Sequence, residues 1–384
     1  VIVLKKNFGK IGKVEREKPI SWQKLMAARI QTAEQLASYL PVNSQHVETV
    51  AGRYAFCINP YYLSLIREKN GALWKQAVPD ILEIQWVGGM VDPLSEEKQS
   101  PVPNLIHRYP DRVVFLVSDQ CAMYCRHCMR KRKVGEIHPD GSVPVSPETI
   151  YEGLAYIRKN QAIRDVLISG GDPLMLSDKR IEQILVSLKG MAHVEMIRIH
   201  TRIPCTLPQR ITPALTHMLR RFHPLYVNIQ FNHPEEITPE AARACALLSD
   251  AGIPLGCQTV LLKGVNDDPA IMMQLMRSLL KIRVRPYYIH HADLVEGTMH
   301  FRTSITRGLE IMAALRGFMS GMGVPQYMID LPQGGGKIPL LPPYIVHMNH
   351  DRMIVRNYEG KQFEYPLDDE DLSDGFHHCR TQNG

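Results

Sequence analysis

Residues 112–135 read "RVVFLVSDQCAMYCRHCMRKRKVG". The opening RVVFLV has the β-branched and aromatic make-up of a strand. Three cysteines follow at once, Cys121, Cys125 and Cys128, at C-x3-C-x2-C spacing. Arg126, Arg130, Lys131, Arg132 and Lys133 are interleaved with them and extend beyond them. This is the densest basic cluster in the chain, and its place beside the thiols predicts small anionic ligands.

Outward from this stretch the chain alternates. Val166–Ser169, Met196–His200, Tyr226–Phe231, Leu255–Leu262 and Val284–Ile289 read as further strands. Between them Ser146-Pro147, Thr212-Pro213, Thr238-Pro239 and Asp268-Pro269 each place a capping oxygen before a proline at the first helical position. The helix after Thr238 ends at Gly252, a natural C-terminal stop. Six strands with intervening helices predict an α/β fold with a parallel sheet and right-handed crossovers, a partial (β/α)6 barrel. Chemistry in such barrels sits at the C-terminal ends of the strands, so the cysteine loop falls on that rim. Residues 1–105 read as a helical N-terminal region, 106–322 as the barrel, and 323–384 as a small Gly- and Pro-rich α+β region with a polar, acidic tail.

Composition narrows the class. Hydrophobic residues make up 45% of 384 and charged ones 22%, as in a soluble globular protein. No apolar run approaches the ~20 residues of a membrane span, and the N-terminus has no signal-peptide core, so a cytoplasmic protein is expected. The net charge of +6 is too scattered for a nucleic-acid binder. Eight cysteines are too few for a disulfide scaffold. Cys57, Cys205, Cys245, Cys257 and Cys379 stand apart and read as small apolar residues.

A structural zinc takes four protein ligands, and three thiols within eight residues leave one position open. His127 adjoins Cys128, and adjacent residues rarely chelate one metal. A [4Fe–4S] cluster on three thiolates leaves one iron free for a ligand. This spacing, directly after the first strand of a βα series, is the one used by radical S-adenosylmethionine (SAM) enzymes. At the end of the second strand, "SGGDPL" (169–174) places Gly170 and Gly171 where backbone can approach a ligand, and Asp172 where it can accept from an ammonium such as that of SAM. Near the C-terminus, "LPQGGGKIP" (331–339) sets Lys337 behind Gly334, Gly335 and Gly336. A nucleotide-binding P-loop would need Ser or Thr where Ile338 stands.

These blocks, with "HRYPDRVVFLVSDQCAMYCRHCMRKR" (107–132), "LPQRIT" (207–212), "FNHPEEIT" (231–238), "GCQTVLLKGVNDD" (256–268), "RPYYIHHADL" (285–294) and "HFRTSITRGLEI" (300–311), resemble the lysine 2,3-aminomutase family in its own order, from about residue 20 to 350. The family consists of radical SAM enzymes that also use pyridoxal 5′-phosphate (PLP). The resemblance implies migration of an amino group from C2 to C3 of an amino acid, a flavodoxin or ferredoxin as electron donor, and a homo-oligomer. Lys337 would then carry PLP. Arg108 and Arg112 would hold its phosphate, Arg130 would bind the substrate α-carboxylate, and Gln258 would lie near SAM, with Arg198 and Arg202 as further candidates there. Asp293 and Asp330 would meet the ammonium of L-lysine. Arginine, glutamate or another amino acid is the alternative substrate, and a non-catalytic Fe–S or zinc regulator the alternative class. Three departures stand out. Gln333 replaces the first of four family glycines. His290, near the cofactors, replaces a tyrosine. Asp268 takes the place of a zinc cysteine, and the tail offers only Cys379 beside His377 and His378, so no subunit-bridging zinc is expected.

Overall fold

The four Pro-initiated helices form as predicted. In the computed structural model, which describes residues 20–86, 88–135, 143–349 and 352–367, the side chains of Ser146, Thr212, Thr238 and Asp268 accept backbone N–H groups. They start the helices Pro147–Lys159, Pro213–Leu219, Pro239–Asp250 and Pro269–Lys281. Asp268 receives both Ala270 and Ile271 N–H, so the carboxylate at the expected zinc position caps a helix.

The predicted strands are β2 (Arg112–Leu116), β3 (Asp165–Ser169), β4 (Met196–Thr201), β5 (Leu225–Ile229), β6 (Leu255–Leu261) and β7 (Arg285–His291), preceded by β1 (Leu105–Tyr109). A seventh parallel strand, β8 (Gln326–Leu331), and an antiparallel one, β9 (Gly336–Leu340), complete a nine-stranded sheet in chain order. β1 is the antiparallel edge on the other side. The boundary expected at residue 322 therefore falls inside the sheet, and Lys337 lies on its last strand. Alternation sorts the side chains. On β4, Ile197 and Ile199 are buried among the hydrophobic core residues, while Arg198 and His200 stay partly accessible.

The two edges approach each other through side chains. Tyr109 Oη on β1 accepts the Lys337 N–H at 2.9 Å, and Gln99 Nε2 donates to Gly334 O at 3.3 Å. Arg108 Nη1 reaches Asp330 Oδ1 at 3.4 Å. A nearly closed barrel results, its seam made by polar groups rather than a strand ladder.

The described residues before the barrel form helices in short pieces from Trp22–Ala27 to Leu82–Gln85. Thr32 breaks the long helical pattern of residues 21–40 by forming a capping box with Gln35. After the barrel, β10 (Ile345–Met348), β11 (Arg352–Arg356) and β12 (Gln362–Pro366) make a separate antiparallel sheet. His377, His378 and Cys379 lie outside the described residues. Among the described residues no helix is long and apolar enough to cross a membrane.

Candidate active site

The three cysteines occupy the loop after β2, each half-buried and none in a disulfide. The end of β3 presses directly on this loop. Gly171 N–H donates to Ser118 O at 2.5 Å and Asp172 N–H to Gln120 O at 2.7 Å. A Cβ on Gly170, whose φ is +140°, would overlap the Ser118 carbonyl, and one on Gly171 would sit 2.6 Å from Gln120 O. The glycines thus admit the cysteine loop's own backbone. Asp172 is likewise occupied. Its carboxylate accepts from Leu174 N–H, Thr201 Oγ1 and Arg202 N–H at 2.7–3.0 Å. It ties β3 to β4.

The basic run proves different from expectation. Arg126 is buried against Glu83, with Nε–Oε1 at 2.9 Å and Nη2–Oε2 at 2.5 Å, and Lys131 joins the same carboxylate. Arg132 and Lys133 are buried and paired with Asp92, Glu96 and Glu97. Burial works to raise the pKa of Glu83, but Arg126 and Lys131 outweigh it and hold the group at about 2. These cations bind the N-terminal region to the cysteine loop rather than an anionic ligand. The acidic partners were legible only as charge complementarity between residues 80–97 and 126–133.

Arg202 lies against the thiols. Its Nη1 donates to Cys125 Sγ at 2.8 Å, and its Nη2 is fixed by Gln76 Oε1 and Glu236 Oε1, each at 2.6 Å. His127 turns to Asn232, 3.1 Å away, and packs edge-on against Phe301; burial keeps it neutral. Among the described residues no three ligating side chains are gathered tightly enough to enclose a single metal ion. The donor set still suits a cluster with one open iron: three soft thiols in one loop, a guanidinium bonded to one of them, and His127 held by another partner.

Lys337 is the second focus. Its side chain is 32% exposed, and its Nζ forms an ion pair with Asp330, itself 4% exposed. Asp330 also meets Arg108 and, at 3.8 Å, His290 Nδ1. Burial and the Lys337 cation hold His290 neutral. Burial, then Asp330, pushes the Asp293 carboxyl up to about 7 against the pull of Lys337. Arg130 stands within electrostatic reach of Asp293, but its Nε and Nη2 are taken by Glu96 at 2.7–3.1 Å. Arg108 is mostly buried. It donates to Gln99, Leu94 O and Asp330, and two of its five N–H groups remain. Arg112 is more exposed and stacks on the Tyr109 ring at 4.2 Å. Gly336 brings the hairpin against β1, where a Cβ would stand 3.1 Å from Tyr109 Oη, and Gly334 packs on the Gln99 side chain. Gln258 is buried on β6, paired in register with Tyr288. Arg198 is bound to Asp165 at 2.5 and 3.0 Å, at the N-terminal end of β3 and away from the cysteine rim. Glu96, Gln99 and Tyr109 were not foreseen; no motif marks Glu96 and Gln99, Tyr109 lies unremarked within the block 107–132, and only the folded seam brings the three to the site.

Comparison with known proteins agrees with this arrangement. Residues 312–382 match the Lysine-2,3-aminomutase family and residues 115–276 the Radical SAM superfamily. The L-lysine 2,3-aminomutase of Clostridium subterminale is 49% identical over 345 residues, 88% of this chain and 82% of that protein. The L-lysine 2,3-aminomutase of Methanococcus maripaludis is 51% identical over 311 residues, 80% and 71% of the two chains. The glutamate 2,3-aminomutase of Clostridioides difficile is 43% identical over 334 residues, 86% and 78%. With such identity across nearly the whole chain, and a cysteine loop and lysine hairpin at the rim and seam of one barrel, this chain belongs to the lysine 2,3-aminomutase family, radical SAM isomerases that work with a [4Fe–4S] cluster, SAM and PLP.

Proposed function

We propose that this protein converts L-lysine to β-lysine by moving the amino group from C2 to C3. One observation carries the choice of substrate: Asp330, with Asp293 beside it, already seats a primary ammonium, that of Lys337. A second carboxylate at that position favours a cationic side chain and repels a substrate carboxylate such as that of glutamate.

Cys121, Cys125 and Cys128 would hold the cluster, with Gln258 and Arg202 toward SAM. Lys337 would carry PLP, with the remaining N–H groups of Arg108 and the Arg112 guanidinium toward its phosphate. When bound, the cluster with SAM would supply hydrogen-atom transfer chemistry and PLP a conjugated carrier for the amino group. The chain's own residues bind and orient. Arg130 grips the α-carboxylate, the Asp293–Asp330 pair neutralises the distal ammonium, and the nearly closed barrel shields the radical from water. The reaction needs an amino acid and an electron donor. A flavodoxin or ferredoxin suits that role, in the cytoplasm, with the enzyme assembled as a homo-oligomer.

The test is anaerobic incubation of reconstituted enzyme with dithionite, SAM, PLP and L-lysine, L-arginine or L-glutamate, read by mass spectrometry against β-amino standards. L-Lysine should rearrange fastest. Faster turnover of L-glutamate would overturn the substrate assignment.

A further inference from the structure

We infer that Glu96 is a positioning residue for substrate binding: it fixes the Arg130 guanidinium so that one edge is left to grip the α-carboxylate. The inference rests on the reading of Arg130 given above.

A guanidinium offers two edges that match a carboxylate, Nε with Nη2 and Nη1 with Nη2. Glu96 takes the first. Nε lies 3.1 Å from both of its oxygens and Nη2 lies 2.7 Å from Oε1. Nη1 has no hydrogen-bond partner among the described residues, and the Arg130 side chain keeps 15% exposure while Glu96 keeps 3%. The second edge therefore has its Nη1 free of protein partners among the described residues, and Asp293 and His200 lie within electrostatic reach of this guanidinium. Arg130 sits at the end of a loop, just before the short 3-10 turn Lys131–Lys133. Without a partner its side chain would sample several rotamers, and holding one of them would oppose binding.

Glu96 is itself well anchored. Ser100 Oγ donates to its carbonyl at 2.7 Å, and Gln99 N–H donates to Ser95 O and Glu96 O. The same turn sends Gln99 to Arg108 and to Gly334 O. One short segment thus touches both Arg130 and the Lys337 hairpin, which links the seat of the carboxylate to that of the reacting amino group.

The test compares L-lysine with L-lysinamide, which keeps both amines and lacks the carboxylate. Binding is measured by equilibrium dialysis to holoenzyme loaded with cluster, SAM and PLP and left unreduced, so that nothing turns over. Wild-type enzyme should prefer L-lysine clearly. Glu96→Ala should cut that preference at least about tenfold, and Glu96→Gln, which retains one acceptor oxygen, by less. Under turnover, the KM for L-lysine should rise more than kcat falls, because the carboxylate grip is uniform binding. A merely structural role would weaken both ligands equally and leave their ratio alone; an unchanged ratio in Glu96→Ala and Glu96→Gln overturns the inference. Arg130→Lys separates the two levels. If it too leaves the ratio unchanged, the reading of Arg130 has failed. If it collapses the ratio while the Glu96 variants do not, only the role of Glu96 has failed.

Discussion

At the scale of single residues, the site is built from groups whose neighbours have moved them from their usual protonation. Asp293 is the clearest case, raised by burial and Asp330 to about 7 from about 3.9 in a free chain. A carboxyl raised on folding contributes stability below its unfolded pKa and loses that contribution as pH rises through the folded one. The Asp293→Asn variant carries no such charge. Its thermal stability relative to wild type should therefore climb between about pH 4 and 7 in the ligand-free protein. The gain is at most about 4 kcal/mol, from roughly three pKa units at 1.36 kcal/mol each. The same change should weaken L-lysine binding at least about thirtyfold, the lower range for removing one partner of a buried charge pair. In wild-type enzyme that affinity should rise as pH passes about 7. Melting curves across pH, paired with lysine binding, check both. A variant less stable than wild type at pH 8, or one that binds lysine normally, contradicts the account. Some of this was legible in the sequence. Lys337, Asp293 and Asp330 could be singled out because their blocks are distinctive. The basic run was misread because its partners, Glu83, Glu96 and Glu97, are supplied from a distant segment.

At the scale of elements, local chemistry was readable wherever it acts locally. A capping oxygen followed by proline needs no tertiary help, and all four such pairs start helices. β8 and β9 gave a weaker signal. "QYMIDL" and "GKIPL" mix polar, glycine and proline residues, and they stand as strands because β7 and each other supply hydrogen-bond partners. The helix Leu82–Gln85 and the cysteine loop show how two unpromising elements become one. Neither is long or strongly apolar, yet Glu83 binds Arg126 and Lys131 between them, almost without exposure. Removing one member of a buried charge set leaves the others unpaired and costs about 3–5 kcal/mol. Glu83→Ala should therefore lower the melting temperature markedly and speed hydrogen exchange in residues 121–133. Glu364→Ala, which breaks the exposed pair with Arg352, should stay within about 1 kcal/mol of wild type. Equal effects of the two variants would mean that the buried set does not hold the N-terminal region to the loop.

At the scale of the whole molecule, the barrel and its helices bury their apolar faces, whereas the sheet β10–β12 does not. Its register aligns Ile345 with Val355 and Phe363, and Met348 with Met353 and Tyr365. Directly opposed residues share a face, so these six form one apolar surface. Arg352, Arg356, Gln362 and Glu364 line the other side. Ile345, Phe363 and Tyr365 are 57%, 52% and 59% exposed. A contiguous apolar face of this kind is unusual on a monomer and marks an interaction surface. A second copy of the chain would cover it with the same six residues, as a two-fold interface requires, and no bridging zinc is needed for that contact. Sedimentation velocity at micromolar concentration should find a dimer or larger assembly. Phe363→Glu combined with Tyr365→Glu should shift it to monomer, because each buried like charge would face its own copy across the two-fold. Asp268→Ala should lower helix stability by about 1 kcal/mol through loss of its cap without changing the assembly. A monomeric wild-type chain, or a double variant that assembles normally, would show that this face is covered by something other than a second copy.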